Sequence, residues 1–250
     1  MNRFPPQWQR RRTTALMSVR IQEAAAASLN RTLYAILPAA TSKAYVANVE
    51  ASESMTPLLQ ASSALVESLI DDPFYEAITA DFAGEIAARK HALTHYFKYS
   101  LMEAQRTGRC VVAPDPTLGA AAWLLPRSPE TDAAESSAKA QYLSSVLGSR
   151  GVENYYQIVR YMTPLAARVV PLGAWYLSII GVLPSAQGRG LGAALLAATL
   201  AEASQARVSC YLETFTPRNL KFYERLGFCA VARYLEPTTN REYVVMRRDV

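Results

Sequence analysis

The chain has 250 residues, half of them hydrophobic and about a fifth charged, which is enough for one large domain or a domain with an extension and a sizeable buried core. Three cysteines without CxxC spacing (Cys110, Cys210, Cys229) and two histidines (His91, His95) argue against a zinc site and a disulfide framework, so a reduced, cytoplasmic protein is expected. No run of eighteen apolar residues is present, so no membrane span or membrane partner is expected.

The net charge of +5 belongs to the first segment. Residues 1–42 hold Arg3, Arg10, Arg11, Arg12, Arg20 and Arg31 against Glu23 alone, and the remaining 208 residues balance. No nucleic-acid partner is expected for the body, because phosphate contacts need clustered Lys and Arg. The extension has the Arg-, Ala- and Ser-rich, acid-poor composition of a mitochondrial presequence. The preferred reading is a basic arm whose helical stretch docks through Leu33–Leu37, an apolar run that would bury against something.

In chain order, Ala44–Val49 reads as a strand and Ala51–Ser54 as a helix start with polar caps. A helix through Leu58, Leu59, Leu65, Val66 and Leu69 stops at Asp71-Asp-Pro73. One long helix is predicted from about Phe74 to Arg106, ended by Thr107-Gly108. Arg109–Ala113 and Gly119–Leu125 flank a Pro-Asp-Pro turn and read as a hairpin. Glu130–Leu147 reads as a helix, and 148–171 is ambiguous, with a further helix around Val152–Leu165. Trp175–Val182 is a continuous apolar run, as in a central strand covered on both faces. A loop, a helix from Gly190 to about Gln205, a strand Arg207–Glu213, a short helix Pro217–Leu226 closed by Gly227, and strands Phe228–Leu235 and Glu242–Arg248 complete the chain. The pattern predicts an α/β fold, a mixed central sheet flanked by helices.

Gln187-Gly-Arg-Gly-Leu-Gly192 lies between the central strand and a helix start. Glycines let several N–H groups converge there, and the helix N-terminus adds partial positive charge, as a pyrophosphate requires. Arg189 can add a charge-assisted contact, and bare Gly190 and Gly192 permit close approach. A Walker loop is excluded because no Gly-Lys-Ser/Thr follows. The GxGxxG dinucleotide fingerprint is missed in spacing, although Glu213 sits where a ribose-binding acid would stand.

The loop, following a strand that ends at Val182-Leu-Pro184, resembles the Q/R-x-x-G-x-G/A signature of the GNAT superfamily of N-acetyltransferases. Tyr223-Glu-Arg-Leu-Gly-Phe228 resembles that family's element on its last helix. Leu212-Glu-Thr, Pro217-Arg-Asn-Leu and Trp175-Tyr-Leu add a narrower similarity to the puromycin N-acetyltransferase group. The close likeness spans about Ala174–Phe228, and a looser one reaches back to Lys43, giving residues 43–250 as one acyltransferase domain.

The resemblance implies the GNAT acyl-CoA N-acyltransferase fold and acetyl-CoA as co-substrate. Ile180, Gly181 and Val182 would meet the pantetheine arm where strands splay. Gln187, Gly188, Arg189, Gly190, Leu191, Gly192 and Ala193 would hold the pyrophosphate, and Asn219 would lie near the thiol. The implied partner is an amine acceptor, preferably a primary amine of a small molecule, with a peptide amine as the runner-up. Tyr223 is the candidate general acid for the departing thiolate. The central strand holds no acid, so Glu213 becomes the candidate base, or else a structural carboxylate at a turn. Asp71 and Asp72 lie where an amine would enter, or simply cap a helix. Outside the class stand a dinucleotide-dependent oxidoreductase and a non-catalytic CoA-binding module.

Overall fold

The computed structural model describes residues 57–250. The basic extension, the Leu33–Leu37 stretch, the Ala44–Val49 strand and the Ala51–Ser54 helix start lie outside the described residues.

Helix α1 (Pro57–Leu69) and the short α2 (Pro73–Ile78) are separated by the predicted Asp71-Asp-Pro73 break, where Asp72 caps α2 by accepting from the Phe74 N–H at 3.0 Å. The single helix expected over 74–106 is instead divided. After α2 come a 3-10 turn (Ala80–Phe82) and Gly84 in the left-handed region (φ +85°), and α3 begins only at Ile86 and runs to Thr107. A non-glycine residue adopts that backbone reluctantly, so the apolar period continues across a chain reversal that periodicity does not detect.

The hairpin is as predicted, β1 (Gly108–Val112) and β2 (Gly119–Leu124), followed by α4 (Pro129–Val146). The ambiguous segment is the helix α5 (Gly148–Ala166). Its start is supported from another element, since Asp81 accepts from the Gly151 N–H at 2.8 Å. Next come β3 (Trp175–Val182), α6 (Leu191–Gln205), β4 (Cys210–Thr214), α7 (Leu220–Glu224), β5 (Cys229–Glu236) and β6 (Arg241–Arg248). Strand β4 starts three residues later than expected. Arg207 is left-handed (φ 54°) and closes α6, with Val208 N–H bonded back to the Ala203 carbonyl.

The described strands form a six-stranded sheet in the order β1-β2-β3-β4-β6-β5, in which only the β3–β4 pair is parallel. Opposite faces of β2 serve different helix layers. Ala120 and Ala122 join a core with Leu65, Leu93, Phe97 and Leu143, while Ala121 and Trp123 join one with Leu195, Leu196 and Leu200 of α6. A third cluster, Ile158, Met162, Phe215, Tyr243 and Val245, seats α5 over the β4–β6 end of the sheet.

Two irregularities of β3 shape the centre of the sheet. Ala122 faces Ile179 but Trp123 faces Leu177, so Ser178 is an extra residue that reverses the alternation of faces. Pairing with β4 is confined to Trp175–Cys210 and Tyr176–Tyr211. Beyond Tyr176 the two parallel strands separate, while β3 stays paired with β2 as far as Val182.

Candidate active site

Ile180, Gly181 and Val182 therefore lie on the part of β3 that has left β4. Of the three, Val182 already has its carbonyl engaged, by the Gln187 side chain at 3.0 Å. Gln187 thus ties the loop to the strand end. A Cβ on Gly181 would run into Ser68 Oγ and approach Leu65 Cδ2 at 2.7 Å, so this glycine admits α1 to the sheet. Paired with β2 on one side, this stretch of β3 has a second edge without a neighbour, which is what a chain of amides such as pantetheine can pair with.

The glycine loop has the form the sequence analysis expected. Leu183 N–H bonds the Leu118 carbonyl at 2.8 Å, a 3-10 turn covers Pro184–Ala186, and Gln187 through Gly190 are exposed. Gly188 and Gly190 have φ of +76° and +80°, and nothing lies within 4 Å of where a side chain would begin. No side chain caps α6. Its first intrahelical bond runs from Ala194 N–H to Gly190 O, so the helix leaves the N–H groups of Leu191, Gly192 and Ala193 to other acceptors. Exposed Arg189 stands beside them. A phosphate group fits this donor set.

Gly192 requires a correction. A side chain there would meet the Phe222 ring at 3.2 Å, with Val182 Cγ2 at 3.9 Å. Its bareness lets α7 pack against α6, whereas Gly188 and Gly190 face open space. Leu191 likewise packs into the α6 core.

Phe222 leads directly to Tyr223, whose ring is buried between Phe222 and Phe228. Gly227 (φ +87°) turns the chain after α7, and Phe228 N–H returns to the Tyr223 carbonyl at 3.1 Å. Burial, and secondarily the charge of Asp72, push the Tyr223 phenol above its ordinary range, so it holds its proton at neutral pH. Asp72 is raised too, by burial foremost; it accepts from Phe74 N–H and from Thr216 Oγ1 at 3.1 Å. Thr216, on the segment leading from β4 to α7, thereby ties the α1–α2 junction to the Tyr223 region. Tyr75 stands close enough to feel both Asp72 and Tyr223. Asn219, expected near the thiol, ends the 3-10 turn before α7; its N–H bonds Thr216 O at 3.0 Å, and its side chain caps nothing.

Glu213 lies on the other face of β4 from Leu212, which packs with α6. Its Oε2 accepts from Tyr176 at 3.1 Å, and its Oε1 is sealed from solvent without a hydrogen bond. Burial pushes this carboxyl up to about 7, against a smaller opposing effect of the Tyr176 bond. A carboxyl near 7 exchanges protons at physiological pH, as a general base does. Glu213 and Tyr223 are not hydrogen-bonded to each other; Glu213 lies on β4 two residues past its last pair with β3, and Tyr223 lies on α7.

Sequence reasoning did not single out Tyr176 or Thr216. Tyr176 entered only as part of the Trp175-Tyr-Leu stretch of an apolar strand, with no role attached, and Thr216 was given none. Trp123 and Trp175 are core residues. The rings of His91 and His95 lie 4.6 Å apart at a tilt of 54°, with His95 Nδ1 3.2 Å from Tyr142 Oη. Among the described residues no group of three or more His, Cys, Asp or Glu is placed to hold a metal. None of their helices is long and apolar enough to cross a membrane.

Residues 155–230 match the family model described as the acetyltransferase (GNAT) domain, a span from α5 through the glycine loop and α7 into β5. The chain is also similar to solved structures. One, described as histone acetyltransferase HPA2 and related acetyltransferase, comes from Corynebacterium glutamicum. It shares 22% identity over 79% of this chain and 92% of that one, with a TM-score of 0.52. Another is arylalkylamine N-acetyltransferase 2 from Aedes aegypti, with 13% identity over 76% of this chain and 93% of that one, and a TM-score of 0.50. Residues 155–230 thus match an acetyltransferase (GNAT) domain, and the described residues share the mixed α/β fold of these solved structures.

Proposed function

We propose that the protein transfers an acetyl group from acetyl-CoA to a primary amine of a small molecule, by direct attack within a ternary complex, and that residues 43–250 act as one domain. The observation that carries this reading is the parting of β3 from β4 directly before an uncapped helix N-terminus with open glycines at 188 and 190. Such a junction offers strand-edge amides to pantetheine and N–H donors to a pyrophosphate in sequence along one path. Gly188, Arg189, Gly190 and the N–H groups of Leu191, Gly192 and Ala193 would hold the phosphates. Ile180, Gly181 and Val182 would border the arm, and Asn219 would stand near its thiol end.

Within this reading Glu213 takes the proton that the amine gives up, and Tyr223 protonates the departing thiolate. Neither forms a covalent bond to the acetyl group. A small acceptor is favoured because the surroundings of Tyr223 pack closely. Phe74, Tyr75, Tyr96 and Tyr155 form a chain of ring contacts beside it, and Asp72 supplies a carboxylate for a cationic amine. The Aedes aegypti protein of similar fold acts, by its name, on arylalkylamines, which agrees with an aromatic acceptor pocket. Calorimetric titration with acetyl-CoA and, separately, NADH tests the co-substrate; an amine library, with peptides included, tests the acceptor. Micromolar acetyl-CoA binding with no NADH response is expected, and the opposite pattern would refute the reading.

A further inference from the structure

We propose that Tyr176 is the positioning residue of the base: its hydroxyl occupies Oε2 of Glu213, so that Oε1 alone receives the proton of the incoming amine. The inference rests on the functional reading above and extends it to a residue that reading does not use. Tyr176 forms, with Tyr211, the last residue pair between β3 and β4, and Glu213 is two residues further along β4. The tyrosine is thus fixed at the apex of the gap, on the only stretch where the two strands hold each other in register. Its ring stacks on Tyr211 with centroids 4.7 Å apart and 21° between planes, which restricts the phenol to one orientation. From there the hydroxyl donates to Oε2 at 3.1 Å.

The asymmetry of the carboxyl follows. Oε2 has a neutral donor and Oε1 has no protein donor, so the lone pairs of Oε1 are the ones left for a proton. Tyr176 is not itself a base, because burial first and Glu213 second push its phenol far above neutrality. Among the described residues no cation pairs with Glu213, whose proton affinity is set by burial and the Tyr176 bond. Tyr176 faces it from β3, Tyr211 from its own strand and Tyr243 from β6; Tyr161, Tyr234 and the carboxyl of Glu236 act on Tyr243, and Tyr96 of α3 reaches Tyr176. In the reaction the amine's proton passes to Oε1 as the nitrogen–carbon bond forms and the carbon–sulfur bond breaks. Tyr223 protonates the thiolate, and Tyr176 keeps its proton throughout.

The donated bond stabilises the ionised carboxylate, so removing it must make Glu213 harder to ionise. The test uses Tyr176→Phe, with Tyr211→Phe as a variant that alters the same stack without touching the bond. Three quantities are read: acetyl-CoA affinity, the titration of the Glu213 carboxyl carbon by NMR in the substrate-free protein (its signal identified by loss in Glu213→Gln), and kcat/KM against pH. In Tyr176→Phe the carboxyl midpoint and the acid limb of kcat/KM should both move upward by about one pH unit. That gives roughly tenfold lower kcat/KM at pH 6 and near wild-type kcat/KM at pH 9, with acetyl-CoA affinity kept. Tyr211→Phe should retain the wild-type midpoint. An unmoved carboxyl midpoint, or a midpoint that moves while the rate profile is only scaled down, overturns the role given to Tyr176. Failure of the wild type to bind acetyl-CoA would instead overturn the functional reading, and this proposal with it.

Discussion

Replacing Glu213 by Gln separates the chemistry of this carboxyl from its cost to the fold. In the unfolded chain a glutamate titrates near 4.5, whereas burial in the native protein pushes Glu213 up to about 7. Between these two values the unfolded carboxyl has lost its proton and the native one retains it, so the native state binds more protons. Stability therefore falls as pH rises through this window, and the loss is complete above 7. Each pH unit in the window is worth about 1.4 kcal/mol, so Glu213 costs the fold about 3 kcal/mol at pH 8 and nothing at pH 4. Gln cannot ionise, is nearly the same size, and still offers an oxygen to the Tyr176 hydroxyl. Urea unfolding of the two proteins at pH 4, 6 and 8 should give near-equal stabilities at the lowest pH and a Glu213→Gln advantage of up to about 3 kcal/mol at the highest. All other titrations are common to both proteins and cancel in the difference. An advantage that is the same at every pH, or absent at pH 8, would refute the burial argument. The same variant should lose turnover, so a residue that lowers stability at working pH is retained for what it does.

Tyr223→Phe should lower kcat by roughly 10- to 1000-fold with little change in acetyl-CoA affinity, as when a general acid is lost; unchanged turnover would remove it from the mechanism. Gly190→Val should chiefly weaken acetyl-CoA binding by calorimetry, since a branched residue neither tolerates φ +80° nor leaves room for a phosphate, and an unaltered Kd would refute that placement. Gly181→Ala should instead lower thermal stability, by about 1–3 kcal/mol, because its methyl group collides with Ser68 and Leu65 of α1; a melting temperature equal to wild type would mean α1 moves aside freely.

Outside the ambiguous 148–171, the order of strands and helices from Arg109 to the C-terminus was legible because each element carries its own local signal: β-formers flanked by turn residues, apolar positions at helical spacing, Gly227 after a helix end. The glycine loop at 187–190 leading into a helix start was legible for the same reason, since glycines and a helix start are neighbours in the chain. Periodicity could not report the break at Gly84, because a chain reversal there preserves the apolar spacing on both sides. Nor could it distinguish the tasks of three loop glycines of identical composition. Gly188 and Gly190 face open space while Gly192 faces Phe222, thirty residues away, and only packing decides between them. The most consequential tertiary decision concerns Glu213. Sequence located the carboxylate at a strand end, but its raised pKa, its bond to Tyr176 and its buried, unbonded Oε1 arise from β3 and β6 closing around β4. A carboxyl's proton affinity depends on the water it loses and the donors it gains, and those are set by neighbours distant in sequence.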